Sequence, residues 1–527
     1  PSATPWCANA RPTTMPSERR LHPLSWLFVL LAQLKSLLLP LGVLAFGSAR
    51  SSGRVDDLIG VGVAALLVLW SVVKYAVYRW QIAGDGLVIR DGILQRSVRH
   101  IPFARIHNVV LQQNLLQRWV GVAEIRLESA GGVKPEAQMQ VLSLADARAL
   151  EALVRRGAAG ADALVQAPGL PGVPADAAAR PSAQETVLLA LSAGEVLRAG
   201  LTLKRGQVVL LSGLALVSQM GSDLLAKNVE RAVRAVAANL EALWLGGTGG
   251  QPVGPAVLAA GAAALAVAAL GLMLLLSVVV AVLRFHGFTL TQAGQRLRLQ
   301  SGLLNRVRSS LPRHRIQGLR LEEGLLHHWM ERRVLSADTA SGQLGNPGAE
   351  SSTYLAPVAT PAFIDDLIRR LMPGAMWPVP YWHALHPMAW LRVAVWPVLL
   401  IVLVCGGLSL RWGAVAWWGL VFLPLLVWRA HILAAQAGWS WDGRLLATQQ
   451  GWLSRHWHLV EADKLQTVVW SQGVVDRWLG MASVLADTAG GAGQPALRIR
   501  YLRADDARRL KASLAAAAAR GRSAAQV

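Results

Sequence analysis

The sequence predicts a multi-pass α-helical membrane protein that carries three soluble domains, each built from short strands and a closing helix. Two observations support this fold class: long apolar runs without charged side chains, and a segment of 49 residues that occurs three times. Of the 527 residues, 53% are apolar and only 16% are charged, which is typical of membrane proteins. The two cysteines, Cys7 and Cys405, are too few for a disulfide framework.

Six apolar segments are predicted to cross the membrane as three helical hairpins. The clearest is 255–283, whose 29 residues carry no charge and exceed the roughly 20 needed to span the hydrocarbon core. Lys35 interrupts the first segment and is expected to face a protein interior, because a lysine facing lipid costs on the order of a few kcal/mol. The predicted spans are 24–46, 58–78, 206–226, 255–283, 393–410 and 412–428.

The soluble segments are expected to lie on one side of the membrane with both termini, since an even number of spans separates them. Arg79 and Arg284 follow the second and fourth spans, and this placement favours the cytoplasm by the positive-inside rule. The opposite loops also carry some positive charge, including Arg50 and Lys227.

The repeat decides the organisation of the soluble part, because its three copies align without a gap. Each copy contains a glycine at the same offset, which predicts a turn between two strands. These glycines are Gly92, Gly302 and Gly451. We number the copies in chain order: the first, second and third repeats are 84–132, 294–342 and 443–491.

Three apolar columns in the alignment predict the sheet core of each repeat. They are Leu94, Leu304 and Leu453; Ile101, Leu311 and Val460; and Ile106, Ile316 and Leu465. A tryptophan column behind a paired apolar step predicts a short helical turn whose ring closes the core. Its members are Trp119, Trp329 and Trp478.

A strand and a helix follow each repeat, so the predicted domain is a set of short strands with one C-terminal helix. In the second domain Thr360 and Pro361 form an N-cap followed by proline at the first helical position. The predicted segments are a disordered leader (1–20), hairpin 1 (21–80), domain 1 (81–157), an Ala/Pro/Gly linker (158–185), hairpin 2 (186–283), domain 2 (284–373), hairpin 3 (381–433), domain 3 (437–517) and a disordered tail (518–527).

Short motifs carry a resemblance to a known family. They are Leu-His-Pro at 21–23 and 385–387, runs of Arg-x-x-x-x-[Ile/Leu]-Pro at 96–102 and 306–312, Arg-Ile pairs at 105–106 and 315–316, and a terminal Thr-Ala-Gly-Gly at 488–491. With them the chain resembles the bacterial pleckstrin-homology-like (PH-like) membrane proteins of the YdbS/YdbT family, in their longer, three-domain form. The resemblance covers most of 20–515, although Glu461 replaces the proline in the third repeat.

This resemblance implies a PH-like barrel capped by a helix in each domain, and a location in the bacterial inner membrane. It also implies a small single-domain family member as a hetero-partner. Membrane lipids and a homo-oligomer are the other expected partners. The family brings no defined biochemical activity with it.

The formal charge of +21 favours an anionic partner, and lipid head groups are the nearest candidate. No nucleic-acid-binding signature competes with them. Two basic columns recur in the repeats: Arg96, Arg306 and Arg455, and then Arg105, Arg315 and Lys464. They form either a cationic rim that binds lipid phosphates or structural residues that bind carboxylates or loop carbonyls. The second repeat has 9 basic and 4 acidic residues, which selects Arg306, Arg308, Arg313 and Arg315 as candidate ligand residues.

No motif for catalysis, a cofactor or a metal is recognised. The expected function is therefore that of a non-enzymatic scaffold that presents its domains to protein partners or anionic lipid. The alternative is a transporter or export accessory with Lys35, Asp223 or Lys227 lining a path. A direct rather than inverted repeat counts against that alternative.

Overall fold

The chain forms two compact units in the computed structural model. The first unit comprises Pro1–Ser129, Pro135–Arg180 and Asn305–Ser309, and the second comprises Ala130–Lys134, Pro181–Leu304 and Ser310–Val527. The structure describes residues 19–20, 23, 25–28, 30–31, 68–73, 75–83, 86–92, 96–103, 106–129, 137–165, 185–202, 231, 235, 255–339, 352–488 and 497–526.

The first unit contains two antiparallel sheets and a closing helix. One sheet has the order β1-β2-β3-β4, and in the other β7, β6 and β5 are followed by Asn305–Ser309. Leu87, Ile125 and Leu127 are fully buried between them. The elements are β1 Arg19–Arg20, β2 Arg79–Ala83, β3 Gly86–Asp91, β4 Ser97–Pro102, β5 Ile106–Asn114, α1 Leu115–Val120, β6 Val122–Ser129, β7 Ala137–Ser143 and α2 Leu144–Val165.

The second unit contains the apolar helix α4, most of the second repeat and the third repeat. Up to the end of the second domain, its elements are β8 Thr186–Ala190, α3 Ala193–Thr202, α4 Pro255–Phe285, β9 Thr289–Ala293, β10 Arg296–Ser301, β11 Asn305–Pro312, β12 Ile316–Glu323, α5 Leu325–Trp329, β13 Arg333–Thr339, β14 Ser352–Ala359 and α6 Pro361–Leu371. The first five residues of β11 belong to the first unit.

The rest of the second unit holds two more apolar helices and the third repeat. Its elements are β15 His383–Ala384, α7 Ala389–Trp412, α8 Leu423–Gln436, β16 Gly438–Trp441, β17 Leu445–Gln450, β18 Arg455–Glu461, β19 Leu465–Ser471, α9 Val474–Trp478, β20 Met481–Thr488, β21 Leu497–Arg503 and α10 Ala504–Gln526. One sheet has the order β14-β13-β12-β18-β17-β16-β15 and another the order β19-β20-β21.

Three described helical segments are long and apolar enough to cross a membrane: Ala259–Phe285, Ala389–Arg411 and Gly413–Gln436. They correspond to the predicted spans 255–283, 393–410 and 412–428. The prediction of six spans is thus supported for three. Span 206–226 and most of 24–46 and 58–78 lie outside the described residues.

In the third repeat the strands of the expected PH-like barrel lie in two sheets that pack on one core, in which Leu446, Val460 and Leu497 are buried. There β18 pairs with β17 on one side and with β12 of the preceding domain on the other. The next strand, β19, pairs with β20 in a separate sheet. A single 3₁₀ turn, Ala462–Lys464, redirects the chain between β18 and β19. Each repeat therefore contributes strands to two sheets, and one of these sheets is shared with a neighbouring repeat.

Successive repeats pair in the same register. In the first unit Gln113 of β5 lies opposite Arg306 of β11, and in the second unit the equivalent Glu323 of β12 lies opposite Arg455 of β18. Backbone hydrogen bonds thus join the first repeat to the second and the second to the third by the same geometry. Leu319 and Leu459 lie opposite each other in the second of these pairings and are fully buried.

Two of the three predicted core columns are buried wherever the structure describes them. Ile101, Leu311, Val460, Ile106, Ile316 and Leu465 all belong to the buried core. Leu304 and Leu453 are wrong as core residues, since they are 43% and 48% exposed, and Leu94 lies outside the described residues. Gly92, Gly302 and Gly451 have φ between 101° and 111°, the left-handed region that favours glycine.

Two helices run beyond their predicted ends. Helix α2 continues to Val165, where a linker was expected from 158, and α10 continues to Gln526, where a tail was expected from 518. Both extensions are rich in alanine, which has the highest helix propensity. The Ala-Gly-rich ends of the three repeats, 130–132, 340–342 and 489–491, lie outside the described residues.

The pairing of β12 with β18 predicts a stability difference between two leucines of the third repeat. Leu459→Ala should lower the local free energy of unfolding by about 2–5 kcal/mol, because it leaves a cavity against Leu319. Leu453→Ala, at a half-exposed position, should change it by less than about 0.5 kcal/mol. Hydrogen exchange of β12 and β18 peptides in the full chain measures both. Equal effects of the two substitutions would contradict the pairing.

Candidate functional site

The short helix that follows β5, β12 or β19 forms an exposed apolar tip in each repeat. We define the apolar tips as α1, α5 and α9. Their tryptophans Trp119, Trp329 and Trp478 are 94%, 84% and 87% exposed. The prediction that these rings close the core is therefore wrong, although the predicted helical turn is present. The paired apolar residues before each tryptophan, such as Val474 and Val475, are exposed as well.

A polar residue at the third helical position of each tip explains this orientation. The backbone N–H of Asn114 donates to Gln117 Oε1 at 2.8 Å, that of Gly324 to His327 Nδ1 at 3.3 Å, and that of Gly473 to Asp476 Oδ2 at 3.2 Å. The three capping side chains, Gln117, His327 and Asp476, are buried. Because the capping side chain points inward, the apolar side chains point outward.

The tip of the third repeat lies at the start of a candidate membrane span. Asp476 Oδ1 of α9 accepts a hydrogen bond from Arg392 Nε at 2.7 Å, and Arg392 lies in the first turn of α7. Both side chains are mostly buried, which makes the pair more specific than a surface ion pair. Trp478 is therefore held near the level at which α7 begins its apolar run.

The Leu-His-Pro motif before α7 fixes the same junction. The backbone N–H of His386 donates to the carbonyl of Tyr501 at 2.9 Å, and the N–H of Met388 donates to His386 Nδ1 at 3.2 Å. Burial, and then the positive charge of Arg503, lower the pKa of His386. A neutral imidazole with Nδ1 as acceptor is what this hydrogen bond requires.

The tip of the second repeat has a comparable contact with α3. Arg332, three residues after Trp329, donates from Nε and Nη2 to the two carboxylate oxygens of Glu195 at 3.1 and 2.9 Å. These hydrogen bonds lower the pKa of Glu195. Helix α3 packs in turn on the apolar helix α4, where Ser277 Oγ donates to the carbonyl of Gly200 at 2.7 Å.

A turn between strands of each of these two repeats also contacts an apolar helix. The N–H of Leu303 donates to the carbonyl of Leu283 in α4 at 2.9 Å. In the third repeat the rings of Trp452 and Trp428, the latter in α8, lie edge to face with centroids 5.2 Å apart. Leu304 and Leu453 belong to these turns, which explains why they are exposed rather than in the core.

The two basic columns do not form one cationic rim. In the third repeat Arg455 begins β18 and Lys464 follows its last residue, Glu461. A strand of seven residues places them about 20 Å apart. In the second repeat Arg306 is the second residue of β11, and Arg315 follows the last residue of that strand by three positions. Only the first column lies on the side of the apolar tips.

Arginines of the first basic column lie near the apolar tip of the preceding repeat, because strands of the two repeats pair in one sheet. Arg306 lies opposite Gln113, two residues before Leu115 of α1, and Arg455 lies opposite Glu323, two residues before Leu325 of α5. Arg96, in the first repeat, is exposed. An apolar surface flanked by arginine is typical of proteins that bind at the bilayer interface.

Arg148 of α2 joins this basic surface and was not predicted from the sequence. Burial, and then the charges of Arg306 and Arg148, lower the pKa of Arg308, and the carboxylate of Glu151 opposes them. Arg148 and Arg306 thus lie close enough to Arg308 to extend one basic surface. The helical spacing of α2 was the signal for Arg148, but its nearness to Arg306 depends on strand pairing across repeats.

The second column supports the structural alternative. Lys464 pairs with Asp463 at 3.0 Å, and Arg313, two residues before the column member Arg315, donates from Nη2 to the carbonyls of Arg370 and Leu371. Arg315 is half-buried, and Arg105 lies outside the described residues. Arg313 and Lys464 line one cleft with Arg444 and Glu461.

Two further ionisable pairs lie among the described residues of the second unit. His328 pairs with Glu323 at 2.7 Å and His458 with Asp338 at 3.1 Å. The described part of the chain contains no group of three or more potential metal ligands. The transporter candidates Lys35, Asp223 and Lys227 lie outside the described residues.

Comparison with known proteins relates the chain to proteins from bacteria. A family model described as a bacterial PH domain matches residues 28–158, 241–372 and 391–518. The UPF0699 transmembrane protein YdbT of Bacillus subtilis (strain 168) is 20% identical over 505 residues, which cover 94% of this chain and 97% of that protein. No solved structure matches.

Glu461 predicts a pH dependence of stability in the third repeat. Burial, and then Asp463, raise the pKa of this carboxyl group, and Lys464 opposes them. A raised folded-state pKa destabilises the fold as pH rises from the usual carboxyl pKa through the folded-state value. Glu461→Gln should therefore raise the melting temperature at neutral pH and leave it unchanged near pH 4. A pH-independent difference in thermal unfolding curves would contradict this assignment.

Proposed function

Because the chain belongs to the bacterial PH domain family, we propose that it is a non-enzymatic membrane scaffold whose PH-like domains are held against the bilayer by their apolar tips. The orientation of the tips is the observation that carries this proposal. Three tryptophans more than 80% exposed, each behind two exposed aliphatic side chains, are unfavourable in water. Tryptophan is enriched at the bilayer interface, where its ring contacts acyl chains and its N–H contacts water or head groups.

The contact between α9 and α7 supports the proposed position of Trp478 at the bilayer interface. The ion pair of Arg392 with Asp476 holds the tip beside the first turn of the candidate span Ala389–Arg411. The interface begins where that apolar run begins. Trp478 therefore reaches the head-group layer without any rearrangement of the domain.

Anionic head groups are the proposed lipid ligand. Arg306 and Arg308 stand beside the tip of the first repeat with Arg148, and each cation near an anionic surface contributes on the order of 1 kcal/mol. Arg96 and Arg455 extend the same column. The second column is assigned to folding, because Lys464 pairs with Asp463 and Arg313, beside the column, donates to the backbone carbonyl of Leu371.

In the proposed arrangement, six spans form three hairpins in a bacterial inner membrane. The PH-like domains and both termini lie in the cytoplasm, consistent with Arg284 at the end of the span Ala259–Phe285. The domains bind protein partners as well as lipid, and a small single-domain member of the family is the expected hetero-partner. The pairing of β12 with β18 is a model for such binding, because there a strand of one PH-like domain is added to the sheet of another.

Insertion of the third tip predicts a difference between two labelled sites. The chain, with Cys7→Ser and Cys405→Ala, carries an environment-sensitive fluorophore at Trp478→Cys or at Asp463→Cys and is reconstituted in vesicles. The label at 478 should emit at shorter wavelength and be quenched by spin-labelled lipid. The label at 463 should remain water-like, because it lies at the far end of β19, about 20 Å away. Equal quenching, or a water-like spectrum at 478, would remove the basis of the proposal.

Arg306 and Arg308 predict that membrane contact of the first apolar tip depends on anionic lipid. With the fluorophore at Trp119→Cys, adding anionic lipid to neutral vesicles should increase quenching, and Arg306→Gln with Arg308→Gln should reduce that increase. The matched double variant Arg369→Gln with Arg370→Gln, on the exposed face of α6, should preserve it. If both double variants behave alike, general charge rather than the first column attracts the lipid.

A further inference from the structure

We infer that the free edge of β19 is a docking site for β4 of a second copy of this chain. The chain would then continue, between molecules, the strand pairing that already joins its own repeats. This inference rests on strand geometry and is independent of whether the tips insert into lipid.

Strands at the same position in different repeats pair in the same way. Within one chain, β5 accepts β11 and β12 accepts β18, in the same register. The gapless alignment makes β19 the third member of the accepting set and β4 the third member of the inserted set. Among the strands that the structure describes, β19 pairs with β20 alone and lies at the end of its sheet, and β4 lies at the end of another. The chain thus has one accepting edge and one inserting strand left over.

Exposure at equivalent positions distinguishes the covered edges from the open one. Val110 of β5 is fully buried, whereas Val469 at the same position of β19 is 43% exposed. Trp457 of β18 is 8% exposed, whereas Val98 at the same position of β4 is 65% exposed. Apolar side chains that are buried in the joined strands are therefore exposed in both unjoined strands.

The edge also lacks a charge or a proline that would oppose pairing. Natural edge strands often carry lysine, proline or bulges that prevent association with another strand. The seven residues of β19, Leu-Gln-Thr-Val-Val-Trp-Ser, include no charge and no proline, and the register shift between Leu465 and Thr467 recurs in β5 and β12, which both accept a strand. A second strand would bury Val469 and satisfy the backbone groups along this edge.

The register determines what the second copy would contribute. Transferring the observed pairing places Trp470 opposite Val98 and Ser471 opposite Ser97, as Leu321 lies opposite Trp457 and Glu322 opposite His456. It also places Arg96 opposite Gln472, as Arg306 lies opposite Gln113. The third tip would then gain the arginine that accompanies the other two tips. The second copy completes the site.

A second copy is the occupant that the chain itself specifies. The accepting edge and the inserting strand belong to one sequence but to different surfaces, so the contact is heterologous and links copies head to tail. Copies in one membrane share an orientation, as the three repeats do. A foreign PH-like domain would need the same strand pattern, and it is an outcome of the test.

The test is a disulfide between two tagged copies co-expressed in membranes, both carrying Cys7→Ser and Cys405→Ala. One copy carries Ser471→Cys and the other Ser97→Cys. Mild oxidation should yield a mixed dimer. An internal reference is the equivalent pair Glu322→Cys with His456→Cys in one chain. It should form a disulfide within the molecule, which shows that two cysteines in this register can be oxidised.

Two controls define the register and the edge. Thr467→Cys should not link to Ser97→Cys, because it lies about 13 Å along the same strand. Val469→Lys should reduce the Ser471–Ser97 dimer at least several-fold, whereas Gln450→Lys, exposed on β17, should leave it unchanged.

Absence of the mixed dimer while the internal reference forms would overturn the inference. So would equal linking by Thr467→Cys and Ser471→Cys, since it would indicate random collision. Linking of Ser471→Cys to another protein in place of the second copy would show that the edge serves a foreign partner.

Discussion

Backbone pairing between repeats is the interaction on which the rest of the structure depends. The first and second PH-like repeats each have one strand edge, on β5 and on β12, that their own strands do not cover. The next repeat in the chain pairs with that edge, in the same register in both cases. The buried leucines of β12 and β18 depend on this contact, because neither strand has another neighbour on that side. A direct tandem repeat in a single membrane is well suited to such pairing, since every repeat enters with the same orientation.

The same pairing explains why the basic and apolar features coincide. An arginine at the start of the inserted strand lies opposite the residue two places before an apolar tip, so each of these basic and apolar surfaces is composed of two successive repeats. The second and third tips are also joined to helices, through Glu195 to α3 and through Arg392 to α7. In the proposed function, the contacts that position the tips are therefore the same contacts that join the repeats and the helices.

Much of the fold was predictable because it follows from local patterns. Apolar columns located the core, shared glycines located the turns, and uncharged runs located three apolar helices. The tips were misread because hydrophobic periodicity shows which side of an element is apolar, not whether protein or lipid covers it. The polar residues Gln117, His327 and Asp476 were the available signal for the orientation of the tips, because a polar side chain at the third helical position can cap the helix from its buried side. The pairing of strands between repeats was not predictable, because the sequence pattern shows which residues are apolar and not which strand lies beside them.

The central claim is that successive repeats share strands and that the third repeat leaves one edge open. Amide hydrogen exchange of the full chain, reconstituted at one copy per nanodisc, tests it directly. β5 and β12 should exchange slowly along their length, while β19 should contain rapidly exchanging amides on its open side. Equal protection of β5, β12 and β19 in the single copy would contradict the account, because the third edge would then be covered from within the chain.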